Sequence, residues 1–121
     1  MTPNIIIWHN NSCSTSRKAL EYLSTKNVNI TIRNYQEKPP SLKELSVVLK
    51  KMKQKPDYIL RKKEKLFQEL FSDKDLTEDE QLQIMHDNPL LIERPIIIMG
   101  RKAFLARPFD EFVNKIDKLL K

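Results

Sequence analysis

One cysteine, one glycine and one tryptophan among 121 residues set the first limits on this chain. A single thiol, Cys13, cannot close an internal disulfide. It suits a reducing compartment, so a cytoplasmic location is expected. Two histidines and that cysteine lie far apart, without the spacing of a zinc site, and no bound metal is expected. No apolar run approaches the ~18 residues of a membrane span, so no membrane partner is expected. The opening "MTPNIIIWHNNS" has no basic leader and only a short apolar run, which argues against a secretory signal. Repeats, low-complexity segments and domain linkers are missing too. A chain of this length is expected to form one domain, residues 1–121, with a core that needs no disulfide or metal to hold it.

What the chain does have is positive charge. Twenty-two basic residues against 16 acidic ones leave a net charge of +6. That favours anionic partners, either small oxyanions or nucleic acid. The lysines are spread along the chain as on an ordinary soluble surface. No RNA-binding or helix-turn-helix signature stands out, so no nucleic-acid partner is expected.

The apolar pattern alternates between strand and helix periods. "NIIIW", Asn4 to Trp8, reads as a short buried strand, and the pattern turns helical from Ser14 to a stop near Asn27. Val28 to Tyr35 alternates with period two, as a strand does. Ser41 and Glu44 have capping-box spacing ahead of a helix through Leu42, Leu45, Val48, Leu49 and Met52. Pro56 interrupts, and Asp57 is placed to cap a further helix running into the basic segment after Leu60. Thr77 and Glu80 repeat the capping-box spacing before a helix to about Asp87, ended by Pro89. Ile96–Met99 and Ala103–Leu105 form a hairpin with Gly100 in its turn. Pro108 then fits the first turn of a helix with an apolar stripe at Phe109, Phe112, Val113, Ile116, Leu119 and Leu120. The order is βαβ, several helices, then ββα. This is an α/β, thioredoxin-like arrangement: a mixed four-stranded sheet with a helical insertion before the final hairpin.

Cys13 falls at the first strand–helix junction. The first N–H groups of a helix lack internal partners, and the helix dipole makes that end positive. Both favour thiolate over thiol, and both attract an oxyanion. The hydroxyls of Ser14, Thr15 and Ser16 could donate hydrogen bonds to the sulfur, and Arg17 adds positive charge. The plainer reading is a small buried hydrophobe, as free cysteine often is. The polar flanks "HNNS" and "STSR" argue against it.

"HNNSCSTSR" resembles the active-site segment of the arsenate reductases that work with glutathione and glutaredoxin. "ILRKKE", "NPLLIERPIII" and "FLARP" resemble three further motifs of that family, in the same order and spacing over nearly the whole chain. The resemblance implies the glutaredoxin-like variety of the thioredoxin fold. It implies Cys13 as the nucleophile toward arsenate, and Arg61, Arg94 and Arg107 as the arginines that hold the oxyanion. It implies His9 near the thiolate, Ser16 and Arg17 in support, and a cis bond before Pro95. It implies glutathione as co-substrate and glutaredoxin as partner, with no bound cofactor. Arginine's planar fork of donors fits such oxyanions and keeps its charge at any working pH. His86, in a polar helix, is expected to be structural. Two positions depart from the family pattern. Ser14 stands where some members carry glycine, and Asn11 where proline is common.

Two other functions fit the same fold. One is a glutathione-dependent thiol reductase of another substrate. The other is a redox-type transcription regulator that binds RNA polymerase. Such regulators usually carry a Cys-x-x-Cys switch. Ser16 occupies the second cysteine's position here, so no internal disulfide can form.

Overall fold

The run of three isoleucines forms the expected strand, but only its outer two are buried and Ile6 is exposed. In the computed structural model, which describes residues 2–121, β1 runs Asn4–His9 and buries Ile5, Ile7 and Trp8. The elements follow in order: β1, α1 (Ser14–Ser24), β2 (Asn29–Asn34), α2 (Leu42–Met52), α3 (Lys65–Phe71), α4 (Glu78–Asp87), β3 (Ile96–Met99), β4 (Lys102–Leu105) and α5 (Phe109–Leu119). Short 3-10 turns lie at Pro56–Ile59 and Pro89–Leu91. Two compact units result. One comprises the described residues up to Lys38 together with Arg94–Lys121, and the other Pro39–Glu93.

The first unit carries the sheet, in the order β2-β1-β3-β4. β1 and β2 are parallel, with Ile7 opposite Ile32 and His9 opposite Asn34. Parallel strands need a crossover between them, and α1 supplies it. β3 runs antiparallel to β1, with Trp8 opposite Ile96, and pairs with β4 through the hairpin. Gly100 turns that hairpin with φ +60°, the left-handed region that glycine enters without strain. The thioredoxin-like sheet, with helices inserted before the hairpin, is the arrangement expected from the element order.

Helices α1 and α5 cover the sheet's buried face. Ile5, Ile7 and Ile97 pack with Ala19, Leu23, Phe112 and Ile116 in one core cluster. Edge-to-face rings join the two helices, Tyr22 with Phe109 and with Phe112, both at 6.0 Å between centroids. The Tyr22 hydroxyl donates to Asp117 Oδ1 at 2.6 Å, fixing the same pair of helices from the rim. β2 is an edge strand, which leaves Ile32 about half exposed.

In the second unit the sequence's capping signals are realised. Ser41 and Thr77 each close a reciprocal capping box, with Glu44 and Glu80, at the starts of α2 and α4. Backbone N–H and hydroxyl of Thr77 hold the Glu80 carboxyl below its ordinary value. His86 has the structural place expected of it, its Nδ1 2.8 Å from the Pro40 carbonyl oxygen.

Three local expectations differ. Asp57 caps no α-helix: Pro56–Ile59 is a single 3-10 turn, and Asp57 pairs instead with Lys62. The chain leaves helical geometry there because Leu60 bridges Ile92 in antiparallel fashion. The Arg61 N–H donates to the Leu91 carbonyl at 2.8 Å, and the Glu93 N–H to the Ile59 carbonyl at 2.7 Å. Helix α1 ends at Ser24, three residues ahead of Asn27, where the Thr25 N–H donates to the Tyr22 carbonyl at 3.1 Å and the Lys26 N–H to the Leu23 carbonyl at 3.0 Å. Pro108 sits one place ahead of α5, with an extended ψ of 164°. No helix among the described residues is long and apolar enough to cross a membrane.

Candidate active site

The loop that carries Cys13 is built by one asparagine. The Asn10 N–H donates to Ser16 Oγ at 3.0 Å, its carbonyl accepts from the Cys13 N–H at 3.0 Å, and its Oδ1 accepts from the Ser12 N–H at 2.9 Å. A side chain that bonds backbone two residues on is the usual device for a tight turn. From the outside, Arg17 Nη1 donates to the Asn11 carbonyl at 2.8 Å. Cys13 is thereby set at the N-cap of α1, with extended backbone (φ −97°, ψ 121°) and its carbonyl already accepting from the Arg17 N–H.

The sulfur is half-buried. As a thiol it makes no cap hydrogen bond. Burial pushes its pKa up, but three neighbours outweigh that. The Arg94 guanidinium and the backbone N–H groups of Ser16 and Thr15 hold the thiol below its ordinary value. The helix end and the arginine therefore act together on one atom, as thiolate activation requires.

Arg94 lies two residues before the start of β3, joined to buried Pro95 by a cis bond. Pro95's carbonyl accepts from the Ala106 N–H at 3.0 Å, which ties this approach to the end of β4. Arg94 Nε and Nη1 are buried and have no hydrogen-bond partner. Buried guanidinium nitrogens without acceptors are costly, so their natural complement is an acceptor-rich anion.

The other expected residues divide. His9 is buried, and its described contact is Nδ1 with Ser16 Oγ at 2.7 Å, one step from the sulfur. Ser16 is buried, and its hydroxyl serves His9 and the Asn10 N–H, so its contribution at the sulfur is its backbone N–H. Arg17 is exposed and braces the loop. Arg107 is exposed at the β4–α5 junction, where it too precedes proline through a cis bond. Arg61 belongs to the second unit. There its Nη1 donates to the Leu90 carbonyl at 3.0 Å, its Nη2 lies 3.1 Å from Glu64 and its Nε 3.5 Å from Glu93.

Sequence reasoning missed two residues. Asn10 gave only a generic polar-loop signal. Tyr35 looked like the end of an alternating strand, yet it is wholly buried. Burial raises the pKa of its phenol, and Arg94 and Gln36 pull it back. Its one available signal was position, just past the C-terminal end of a parallel strand, where ligands gather in such sheets.

A lone thiol at the N-cap of α1 thus lies near an arginine with unsatisfied nitrogens, on a four-stranded thioredoxin-like sheet. The chain belongs to the ArsC family, whose pattern matches residues 8–114. It is 37% identical to the uncharacterized protein YfgD of Escherichia coli K12, over 94% of this chain and 98% of that one. It is 36% identical to an arsenate reductase of Neisseria meningitidis, over 89% and 94% of the two chains. The solved arsenate reductase from Vibrio cholerae superposes with a TM-score of 0.87 at 30% identity, covering 94% of this chain and 98% of that one.

Proposed function

We propose that this chain is a cytoplasmic arsenate reductase, acting through Cys13 with glutathione and glutaredoxin as the source of electrons. The observation that carries this reading is the pair of buried, unpartnered Arg94 nitrogens next to a thiol held below its ordinary pKa. Named relatives of similar length that are arsenate reductases support the choice of substrate. The absence of a second cysteine supports an outside thiol donor, and a lone thiol suits the reducing cytoplasm.

In this reading the Cys13 thiolate bonds to arsenic, and one arsenate oxygen takes up protons and leaves as water. Arg94 offsets the negative charge on the remaining oxygens as the transition state crowds. A glutathione thiolate then attacks the Cys13 sulfur. The arsenic–sulfur bond breaks with its electron pair on arsenic, and arsenite departs. Arsenic has gained two electrons, and the two sulfurs have lost them in forming a mixed disulfide. Glutaredoxin reduces that disulfide and restores Cys13. The resemblance, rather than the geometry, carries Arg61 and Arg107 into oxyanion binding and His9 into support of the thiolate.

The test is arsenite production from arsenate with glutathione and glutaredoxin, by wild type and Cys13→Ser. Turnover by the wild type alone is expected. Wild-type protein that is alkylated readily at Cys13 yet yields no arsenite would move the reading to a thiol reductase of another substrate.

A further inference from the structure

Tyr35 presents a buried hydroxyl with no hydrogen-bond partner. Interior phenols nearly always find one. Among the described residues only four buried side-chain polar atoms are orphaned. Three of them are the Tyr35 hydroxyl and Arg94 Nε and Nη1. The sheet register brings those three to one place. His9 stands opposite Asn34 in the parallel pair, so the next step sets Asn10 beside Tyr35. Trp8 stands opposite Ile96 in the antiparallel pair, and Arg94 lies two residues ahead of Ile96, at the same end of the sheet. Tyr35 follows β2 and Arg94 precedes β3, so both lie at the end of the sheet where β1 gives way to Asn10, three positions before Cys13. The charge on Arg94 and the Cys13 sulfur both bear on the phenol's titration.

Arg94 and Gln36 are near enough to act on the phenol, but neither meets hydrogen-bond geometry with it, although the phenol oxygen could accept from the guanidinium. Each is left with its donor free. An acceptor-only group with several oxygens would fill all three positions at once.

We propose that Tyr35 is an oxyanion-binding residue: its hydroxyl joins Nε and Nη1 of Arg94 as one donor set for the oxygens of a tetrahedral anion beside Cys13. The proposal deepens the reductase reading and rests on Cys13 attacking such an anion. The phenol supplies a neutral donor next to a cationic one. Neutral donors add directional preference for a fully oxygenated tetrahedron without drawing in the thiolate as a competing counter-ion.

Tyr35→Phe deletes one oxygen and keeps the ring. The lost hydroxyl holds no protein partner, so folding should be unaffected, with a melting temperature equal to or above wild type. A hydrogen bond to a charged acceptor is worth about tenfold or more in affinity. We expect the arsenate KM of Tyr35→Phe to rise about tenfold with kcat far less changed, as loss of uniform binding requires. A merely structural tyrosine would lower the melting temperature and kcat instead. Binding of arsenate and of inorganic phosphate to Cys13→Ser, with and without Tyr35→Phe, is measured by calorimetry alongside. If wild type turns over arsenate and Tyr35→Phe matches it in KM and in binding, the Tyr35 role falls and the reductase stands. If wild type fails to reduce arsenate, but Cys13→Ser binds these anions and loses them with Tyr35→Phe, the reductase reading falls and the Tyr35 role stands. If Cys13→Ser binds neither anion, the donor set is not an anion site and the proposal fails.

Discussion

Ser16 Oγ and His9 Nδ1 lie 2.7 Å apart, both side chains buried, seven residues apart in sequence and on either side of Cys13. The same oxygen accepts the Asn10 N–H. One hydroxyl thus locks the end of β1 to the first turn of α1, and the loop bearing the thiol is closed from within. What Ser16 gives the sulfur is a different group, its backbone N–H.

That separation makes Ser16→Ala informative. The substitution strips a buried imidazole nitrogen and a backbone N–H of their partner while the backbone donor at the sulfur stays. Leaving such groups unsatisfied costs about 1–3 kcal/mol. Urea unfolding should report that loss. The pH profile of Cys13 alkylation should stay close to wild type. A profile displaced as far as the one from Arg94→Ala would mean the hydroxyl, not the N–H, supports the thiolate.

Arg94 and Arg61 should differ in their effect on arsenate turnover. Two Arg94 nitrogens have no partner, so its charge is available to an incoming anion. Arg61 already shares its guanidinium with Glu64, Glu93 and the Leu90 carbonyl, which offsets its charge. Two charge-assisted hydrogen bonds lost predict a fall in kcat/KM of about a hundredfold or more for Arg94→Ala. For Arg61→Ala the fall should be about tenfold at most, with a measurable loss of stability as two carboxylates lose their partner. Equal losses in kcat/KM would show that Arg61's ion pairs yield to the substrate.

How much of this could be seen in advance differs from residue to residue. Cys13 was legible because a β-branched run, a polar loop and a helical period meet at a single point, and the chemistry of a helix start is local. The capping boxes at Ser41 and Thr77 were legible for the same reason: four consecutive residues contain the whole interaction. Gly100 was legible as a left-handed turn between two apolar runs. The helix expected after Asp57 failed because Ile92, thirty-two residues beyond Leu60, pulls the backbone into a bridge that local propensity does not encode. Arg94's lack of partners, Arg61's carboxylates and the orphaned Tyr35 hydroxyl all depend on neighbours distant in sequence. Only the family resemblance pointed to the arginines beforehand, and Tyr35 offered no more than its place just past a parallel strand.

The depressed thiol pKa also carries a consequence for stability. In the unfolded chain Cys13 titrates near its ordinary value of 9.0, and in the folded protein below that. Between the two values the unfolded chain holds a proton that the folded protein has released. Raising the pH through this window therefore favours the folded state, and the gain is complete above 9.0. It is lost again as pH falls through the folded value. Serine at position 13 does not titrate, so the difference in unfolding free energy between wild type and Cys13→Ser isolates the effect. That difference should climb with pH across the window and then level off, read by urea titration at intervals from pH 6 upward. In an Arg94→Ala background the climb should shrink, because the guanidinium is the strongest group lowering the thiol. A difference that stays flat in the wild-type background would mean that the folded protein does not stabilise the thiolate, and the activation of Cys13 at the start of α1 would have to be abandoned.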